Sequence, residues 1–233
     1  MGAMDMLNHL LTDDPAIPRV TVYNESTGTR LDFSAHTLEN WTAKIANFLT
    51  EELEVEDGDV VLVDLPVSWQ SVVIVLGCLA AGVDFRFPGD PADETLAIAA
   101  FIPPERYADY ANNLGATTGL NSHQELVLVT EDAFGRGVEE TGDVLPRGAI
   151  DFGPTVRFYG DQYFGSTSPL AELYPSPHTR ERVLSSGWHD KDSFASAVLE
   201  PLAGTGSSVI VAGLSDTHRL DEIAAIEKVS LRL

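Results

Sequence analysis

The sequence predicts an α/β protein with a largely parallel sheet flanked by helices. Three patterns carry this prediction: a hairpin over 20–33, a strand–helix–strand unit over 55–91, and alternating strands and helices from 182 onward. Strands joined through a helix are parallel, and the connection is right-handed. Repetition of such units therefore builds a parallel sheet.

The first elements are a hairpin and an amphipathic helix. Val20–Phe33 contains two strand patterns around a turn at Glu25–Gly28. Ser34 follows as a helix N-cap residue. Apolar residues then recur at helical spacing on one face, at Leu38, Trp41, Ile45, Phe48 and Leu49.

The next unit is the clearest pattern in the chain. An apolar strand at Val60–Leu65 is followed by Ser68, which can cap a helix that is apolar on almost every side. Gly82 is a typical C-terminal stop for that helix. A second strand, Val83–Phe87, follows at once, and the two strands are expected to be parallel.

The centre of the chain is less regular than its ends. Strands are predicted at Thr95–Phe101 and Leu126–Thr130, with a helix from Pro104 to about Leu114 between them. From 134 to 180, Gly and Pro interrupt every pattern except one strand, Val156–Tyr159. The pattern then resumes with a strand at Val183, a helix Ser193–Leu202, a strand Val209–Ala212, a helix from Asp216 to about Glu227 and a strand at Val229.

This organisation predicts one α/β domain over 1–233. Its two lobes would be 1–133 and 181–233, joined by the Gly/Pro-rich segment 134–180. That segment is too long for an ordinary connection, so a functional loop, a disordered excursion and the remnant of a deletion all stay open.

The unit over 55–91 resembles the front portion of the N-terminal domain of AMP-forming acyl-CoA synthetases. The resemblance rests on Gly58, Asp59, Val61, Leu65, Pro66, Ala81, Gly82, Phe87, Pro88 and Pro91. The chain is more similar still to short actinobacterial proteins that keep only this front portion. The resemblance implies the fold of that domain and an ancestral activity as an AMP-forming acid–thiol ligase.

The same resemblance implies a phosphate loop in the weak central segment. That loop is rich in Ser, Thr and Gly and ends in Pro-Lys-Gly, because small residues let backbone N–H groups surround the phosphates while the lysine adds a positive charge. The corresponding stretch here has Leu170 in the place of the lysine. Its candidate ligand-binding residues are Asp161, Gly165, Ser166, Thr167 and Ser168.

A second motif of the family, a strand followed by an aromatic residue or His at the acyl pocket, is similar to Ser185–His189. It adds Trp188 and His189 as candidate ligand-binding residues. The family's later motifs, including the C-terminal lysine that drives adenylation, have no counterpart up to Leu233. We therefore assign no catalytic residue.

Composition restricts the partners and the location. A formal net charge of −22, with only 14 Lys and Arg, disfavours nucleic acid and anionic membranes as partners and makes ATP or AMP a doubtful cofactor. The single cysteine, Cys78, lies in the apolar helix and cannot form an internal disulfide, and the histidines show no metal-ligand spacing. The longest apolar run, Val72–Val83, is too short for a bilayer span and no signal peptide is recognised, so a cytoplasmic location is expected.

These observations predict a non-catalytic descendant of the synthetases that either binds a small acyl or nucleotide-like ligand near Asp161–Ser168 and His189 or has lost ligand binding altogether. The alternative is a protein-interaction or homodimeric regulatory module without a ligand, with the sheet edge near Val229–Leu233 covered by a partner. An adenylating enzyme completed by a separately encoded C-terminal half is a third reading.

Overall fold

The computed structural model describes residues 5–91, 96–112 and 120–233, without the side chains of 120–123. Its helices and strands are, in chain order, α1 (Asn8–Asp13), β1 (Pro18–Asn24), β2 (Thr29–Ser34), α2 (Ala35–Glu51), β3 (Val60–Val63), α3 (Trp69–Ala81), β4 (Asp84–Arg86), β5 (Ala97–Ile102), α4 (Tyr107–Asn112), β6 (Leu120–Leu128), β7 (Ala149–Asp151), α5 (Phe152–Phe158), α6 (Leu170–Leu173), β8 (Arg182–Ser185), α7 (Lys191–Phe194), α8 (Glu200–Ala203), β9 (Ser207–Ala212), α9 (Thr217–Ile226) and β10 (Leu231–Arg232). Short 3₁₀ turns occupy Pro104–Arg106 and Glu139–Thr141, and a π-helical segment, Ala195–Leu199, joins α7 to α8.

The strands form two five-stranded sheets. The first sheet has the order β10-β8-β9-β1-β2, and its only antiparallel pair is the hairpin β1–β2. The second sheet has the order β4-β3-β5-β6-β7 and is parallel throughout. The predicted α/β class is confirmed, with two sheets in place of one.

The main hydrophobic core connects the two sheets through α2 and α3. It includes Val22 from the first sheet and Val61 from the second, together with most of both helices. Since α3 is buried over its whole length except at Leu79 and Ala81, it needs apolar residues on every side. Gly77 lets α2 approach closely, because a Cβ at that position would lie 2.3 Å from Cγ2 of Ile45.

The outer faces of the sheets carry smaller cores. On the first sheet, α9 places Ile223 against Tyr23, Leu184 and Val209. On the second sheet, α4 places Tyr110 in a cluster with apolar residues of β3, β5 and β6. Alternate residues of the parallel strands thus face two different cores, as a sheet covered on both sides requires.

An ionic network fixes the end of α9 to the first sheet. Glu227, which is 8% exposed, accepts hydrogen bonds from Arg30 at 2.8 Å, Tyr23 at 2.6 Å and Arg182 at 2.5 Å. Burial opposes ionisation of Glu227, but the hydrogen bonds from Arg30, Tyr23 and Arg182 outweigh it and lower the pKa of this carboxyl to about 2. Glu227 directly follows α9, so its carboxylate connects the end of this helix to β1, β2 and β8.

The predicted strand Val156–Tyr159 is wrong. Residues Phe152–Phe158 form α5, and the strand of this region is β7, Ala149–Asp151. Val156 and Phe158 have high β-propensity, but Phe152 and Val156 are four residues apart and both bury against the core on the side of α2. Tertiary packing has overridden the local preference.

The other predicted elements keep their type with shifted ends. The βαβ unit is confirmed: Ser68 caps α3 through the backbone N–H of Ser71, and Gly82 ends the helix in the left-handed region at φ 75°. The predicted helix Ser193–Leu202 corresponds to α7, the π-helical segment and α8, and the last strand lies at β10, after Val229. Thr95 and Leu114, which were the predicted ends of two elements, lie outside the described residues, and the division into two lobes stays a prediction.

The apolar helix α3 contains the single cysteine of the chain. Cys78 is fully buried, as predicted, and burial raises the pKa of its thiol to about 12. Within the described residues, no helix has the length and apolar character that a membrane crossing needs.

Candidate functional site

A cleft lies between the two sheets at the carboxyl ends of their parallel strands. Asn24 ends β1, Val67–Gln70 follow β3 and begin α3, and Glu131–Ala133 follow β6. Ligands of open parallel sheets bind in this position, outside the carboxyl ends of the strands. We call it the inter-sheet cleft; its lining consists of Val22, Asn24, Thr27, Thr29, Leu31, Val67, Ser68, Trp69, Gln70, Glu131, Asp132 and Ala133.

The size and lining of the inter-sheet cleft suit a small ligand. Its volume is about 230 Å³, below the roughly 300–1,000 Å³ of pockets that hold drug-sized molecules. Aliphatic side chains of the first sheet, Val22 and Leu31, face Val67 and the indole of Trp69 across it. The cleft can therefore hold a compact apolar group, but not a whole ATP or acyl-CoA molecule.

Trp69 is held rigidly and leaves one polar atom without a partner. Its ring stacks on Phe33 at a centroid distance of 5.2 Å and lies 5.0 Å from the ring of Trp41. Its Nε1 is buried and has no hydrogen-bond acceptor among the described residues. Buried polar groups are normally hydrogen-bonded, so this unpaired N–H is an exception within a residue that lines the cleft.

Gln70 fixes the loop after β6 against the start of α3. Its side-chain amide donates to the carbonyl oxygens of Thr130 at 3.0 Å and Asp132 at 2.9 Å. The loop that carries both carboxylates of the cleft, Glu131 and Asp132, is therefore tied to α3. The cleft is a rigid feature on the side of the second sheet.

The two carboxylates of the lining differ in charge compensation. Asp132 accepts hydrogen bonds from the Arg136 side chain at 2.7 Å and from the backbone N–H of Phe134 at 2.9 Å, and the Arg136 hydrogen bond is the main reason that its pKa is lowered. Glu131 is exposed and contacts no described cationic group. Of the described residues that line the cleft, none is Lys or Arg.

Asp161, one of the sequence-predicted residues, lines a separate polar depression of about 280 Å³. Its neighbours there include His36, Glu39 and Tyr163 on or against α2. Burial raises the pKa of Glu39, and the charge of Asp161 raises it further, while His36 lowers it. None of the other sequence-predicted residues lines this depression.

The predicted phosphate loop is attached to the start of the chain. Thr167 Oγ1 accepts a hydrogen bond from the backbone N–H of Asp5 at 2.9 Å, while Gly165 lies against the ring of Tyr163. Gly165, Ser166 and Ser168 are exposed. Leu170, in the place of the family's lysine, is fully buried in the main core, and its N–H donates to the carbonyl of Met6 at 3.0 Å.

Trp188 and His189 belong to a segment directly behind the inter-sheet cleft. Trp188 packs edge to face on Phe194 at 4.8 Å, and the exposed His189 ring lies 3.0 Å from the carboxylate of Asp190. Gly187, just before them, touches a wall of the cleft, because a Cβ there would lie 2.6 Å from Cγ2 of Val67. Neither side chain is part of the lining.

Sequence reasoning missed Trp69 and Glu131. Trp69 is the only aromatic residue of an otherwise aliphatic helix and stands at its first turn, which is a weak signal for a site. Glu131 follows an apolar strand, where a charged residue is ordinary. The order β3-β5-β6 of the second sheet brings these residues to one edge, which local sequence patterns do not reveal.

Comparison with known proteins gives one relative that matches over nearly the full chain. No protein-family model matches the sequence. A TIGR03089 family protein from Mycobacterium tuberculosis (strain ATCC 25618 / H37Rv) is 32% identical over 243 residues, an alignment that covers 97% of this chain and 95% of that protein.

Three solved structures with the same fold are one synthetase and two ligases. An acyl-CoA synthetase from Brucella canis matches with a TM-score of 0.68 at 15% identity, over 92% of this chain and 44% of its own. The anthranilate CoA ligase AuaEII in complex with anthranoyl-AMP matches with a TM-score of 0.69 at 12% identity, over 100% of this chain and 49% of its own. A fatty acid AMP ligase from Legionella pneumophila matches at 0.64, with 13% identity over 98% and 43%. The chain thus spans less than half the length of each, and the likeness concerns the fold.

Proposed function

The chain belongs to the TIGR03089 protein family, and from that premise we propose that it is a non-catalytic relative of the AMP-forming acyl-CoA synthetases that binds a small acyl ligand in the inter-sheet cleft. The observation that carries the proposal is a cleft lined by Trp69, whose indole N–H is buried and has no acceptor among the described residues. A carbonyl oxygen of an acyl group supplies the acceptor that this donor lacks.

Two features favour the acyl part of a ligand over a nucleotide-like part. The volume of about 230 Å³ is small, and the described lining offers no Lys or Arg to a phosphate. Phosphates are bound mainly by positive side chains together with backbone N–H groups, and in the described lining only the N-terminus of α3 supplies such groups. A nucleotide-like ligand is therefore the weaker candidate.

The absence of catalysis is proposed from the position of Leu170. In the AMP-forming acyl-CoA synthetases that the sequence resembles, the corresponding lysine is directed at the ATP phosphates, whereas here the side chain of Leu170 packs in the main core. We expect no exchange of pyrophosphate into ATP with any carboxylic acid. Exchange above the background of a heat-inactivated sample would contradict this part of the proposal.

Replacement of Trp69 by phenylalanine tests the acyl site. A neutral probe, 3-phenylpropanamide, is titrated by calorimetry or by NMR against the wild type and the variant. Since W69F keeps an aromatic ring and loses the N–H, we expect its affinity to fall about two- to twelvefold, the range for one hydrogen bond of about 0.5–1.5 kcal/mol.

Trp188→Phe is the matched control, because Trp188 lies behind the cleft and outside its lining. It should leave the affinity unchanged. Circular dichroism confirms that both variants are folded. An equal loss in both variants, or a loss in W188F alone, would contradict the assignment of Trp69, and no binding of the amide to the wild type would remove the proposed function.

A further inference from the structure

We propose that the inter-sheet cleft selects ligands that carry a positive charge, such as a primary ammonium group, and rejects carboxylates and phosphates. The inference rests on the proposed function and adds the charge of the ligand to it. A preference for positively charged ligands is the opposite of the preference expected of an enzyme that activates free carboxylic acids.

The local argument is the uncompensated charge of Glu131. The other carboxylate of the lining, Asp132, is hydrogen-bonded by Arg136 at 2.7 Å, so its charge is balanced within the protein. Glu131 contacts no cation in the described part of the chain, and it stands on the loop that Gln70 ties to α3. An ammonium group on a ligand whose apolar part lies against Trp69 and Val67 supplies the missing counter-charge.

The remaining polar groups of the lining do not change this balance. Ser68 Oγ is the cap of α3, and the side-chain oxygen of Asn24 accepts the backbone N–H groups of Ser26 and Thr27. The hydroxyls of Thr27 and Thr29 bond to each other at 2.9 Å. These groups carry no formal charge, and the N-terminus of α3 at Trp69 and Gln70 adds only about half a positive charge, so the carboxylate of Glu131 sets the sign of the charge in the cleft.

The charge of the whole chain acts in the same direction. With a formal net charge of −22, the protein attracts small cations and repels small anions before they reach the cleft. This long-range part weakens with added salt, because exposed charges are screened beyond about 8–10 Å at physiological ionic strength. The charge of Glu131 and the net charge of the chain therefore both favour positively charged ligands.

The test uses three probes that share one phenylpropyl body. These are 3-phenylpropylamine, 3-phenylpropanamide and 3-phenylpropanoate, titrated at pH 7 and low salt against wild type and Glu131→Gln. We expect the amine to bind the wild type more tightly than the carboxylate. E131Q should weaken the amine about two- to fivefold, the range for one exposed ion pair, and leave the neutral amide unchanged.

Two further variants complete the design. Glu172→Gln removes an exposed carboxylate outside the cleft and should change none of the three affinities. Glu131→Lys should bring the carboxylate to at least the affinity of the amine. Because Glu131 is exposed and has no cationic partner among the residues that the structure describes, neither change at this position is expected to affect folding.

The outcomes separate this inference from the proposed function. A carboxylate that binds the wild type as tightly as the amine, or an equal loss of amine and amide in E131Q, overturns the charge preference while binding itself remains. No binding of any of the three probes overturns both.

Discussion

Replacement of Glu227 by alanine is expected to lower the free energy of unfolding by about 3–5 kcal/mol, the range for removal of one partner of a buried ion pair. Glu227 accepts hydrogen bonds from Arg30, Arg182 and Tyr23, and its own side chain is 6% exposed. E227A leaves both guanidinium groups and the phenol without their shared acceptor, and the contact between α9 and the first sheet loses its centre. Urea unfolding followed by circular dichroism measures the change.

Two companion variants make this result specific. Glu227→Gln keeps an acceptor oxygen and should lie between E227A and the wild type. Glu172→Ala changes an exposed carboxylate and should stay within about 0.5 kcal/mol of the wild type. A loss below about 1 kcal/mol in E227A would mean that the network adds little to stability.

The pH dependence follows from the same carboxyl group. Its pKa is about 2 in the folded protein, below the ordinary value of 4.5. The folded state therefore binds fewer protons than the unfolded state between these values, and the contribution of Glu227 is complete above about pH 4.5 and declines as the pH falls toward about 2. The stability difference between wild type and E227Q should shrink over that interval, and a difference that stays constant or grows would contradict the assignment.

Introduction of the family's lysine at position 170 is expected to destabilise the protein by at least about 4 kcal/mol, because it replaces a buried leucine and places an ammonium group in the main core. Leu170 is fully buried, and its backbone is hydrogen-bonded to Met6. Leu170→Lys should not gain ATP binding, since the side chain cannot face the solvent without opening the core. Denaturant unfolding and a thermal shift with ATP measure the two effects.

Leu170→Met is the matched control for packing. It has nearly the same volume as the wild-type residue and should cost less than about 1.5 kcal/mol. A folded L170K protein that is stabilised by ATP would show that the loop at Gly165–Ser168 still forms a phosphate site. It would also contradict the core position of this residue.

Helices and strands can be predicted from the sequence alone where the local sequence signals agree with the burial of the element. In α3, the cap at Ser68, the continuous apolar run and the left-handed Gly82 all point to the same helix. The hairpin β1–β2 and the amphipathic α2 were predictable for the same reason. In α5 the signals conflicted, because the β-branched and aromatic residues of that segment also suit a strand.

Neither the two-sheet arrangement nor the cleft could be predicted from local patterns. Periodicity identifies a strand but not its neighbour, and the pairing of β1 with β9 joins distant parts of the chain. Trp69 and Glu131 come to one edge through the order β3-β5-β6 of the second sheet, and Val22 and Leu31 of the first sheet complete the cleft. The prediction of Asp161, 165–168 and 188–189 as ligand-binding residues rests on resemblance to motifs, and a motif gives positions along the chain but not positions across the fold.

The pairing of β1 with β9 also determines the order in which the protein can fold as the ribosome makes it. Val20 pairs with Ser208, so the hairpin β1–β2 emerges with one hydrogen-bonding edge exposed and keeps it until nearly all of the chain has been translated. The second sheet, built from 60–151, has all of its strands much earlier. Nascent chains stalled before β9 should therefore be prone to aggregation and depend on chaperones, whereas release of the completed chain closes the edge.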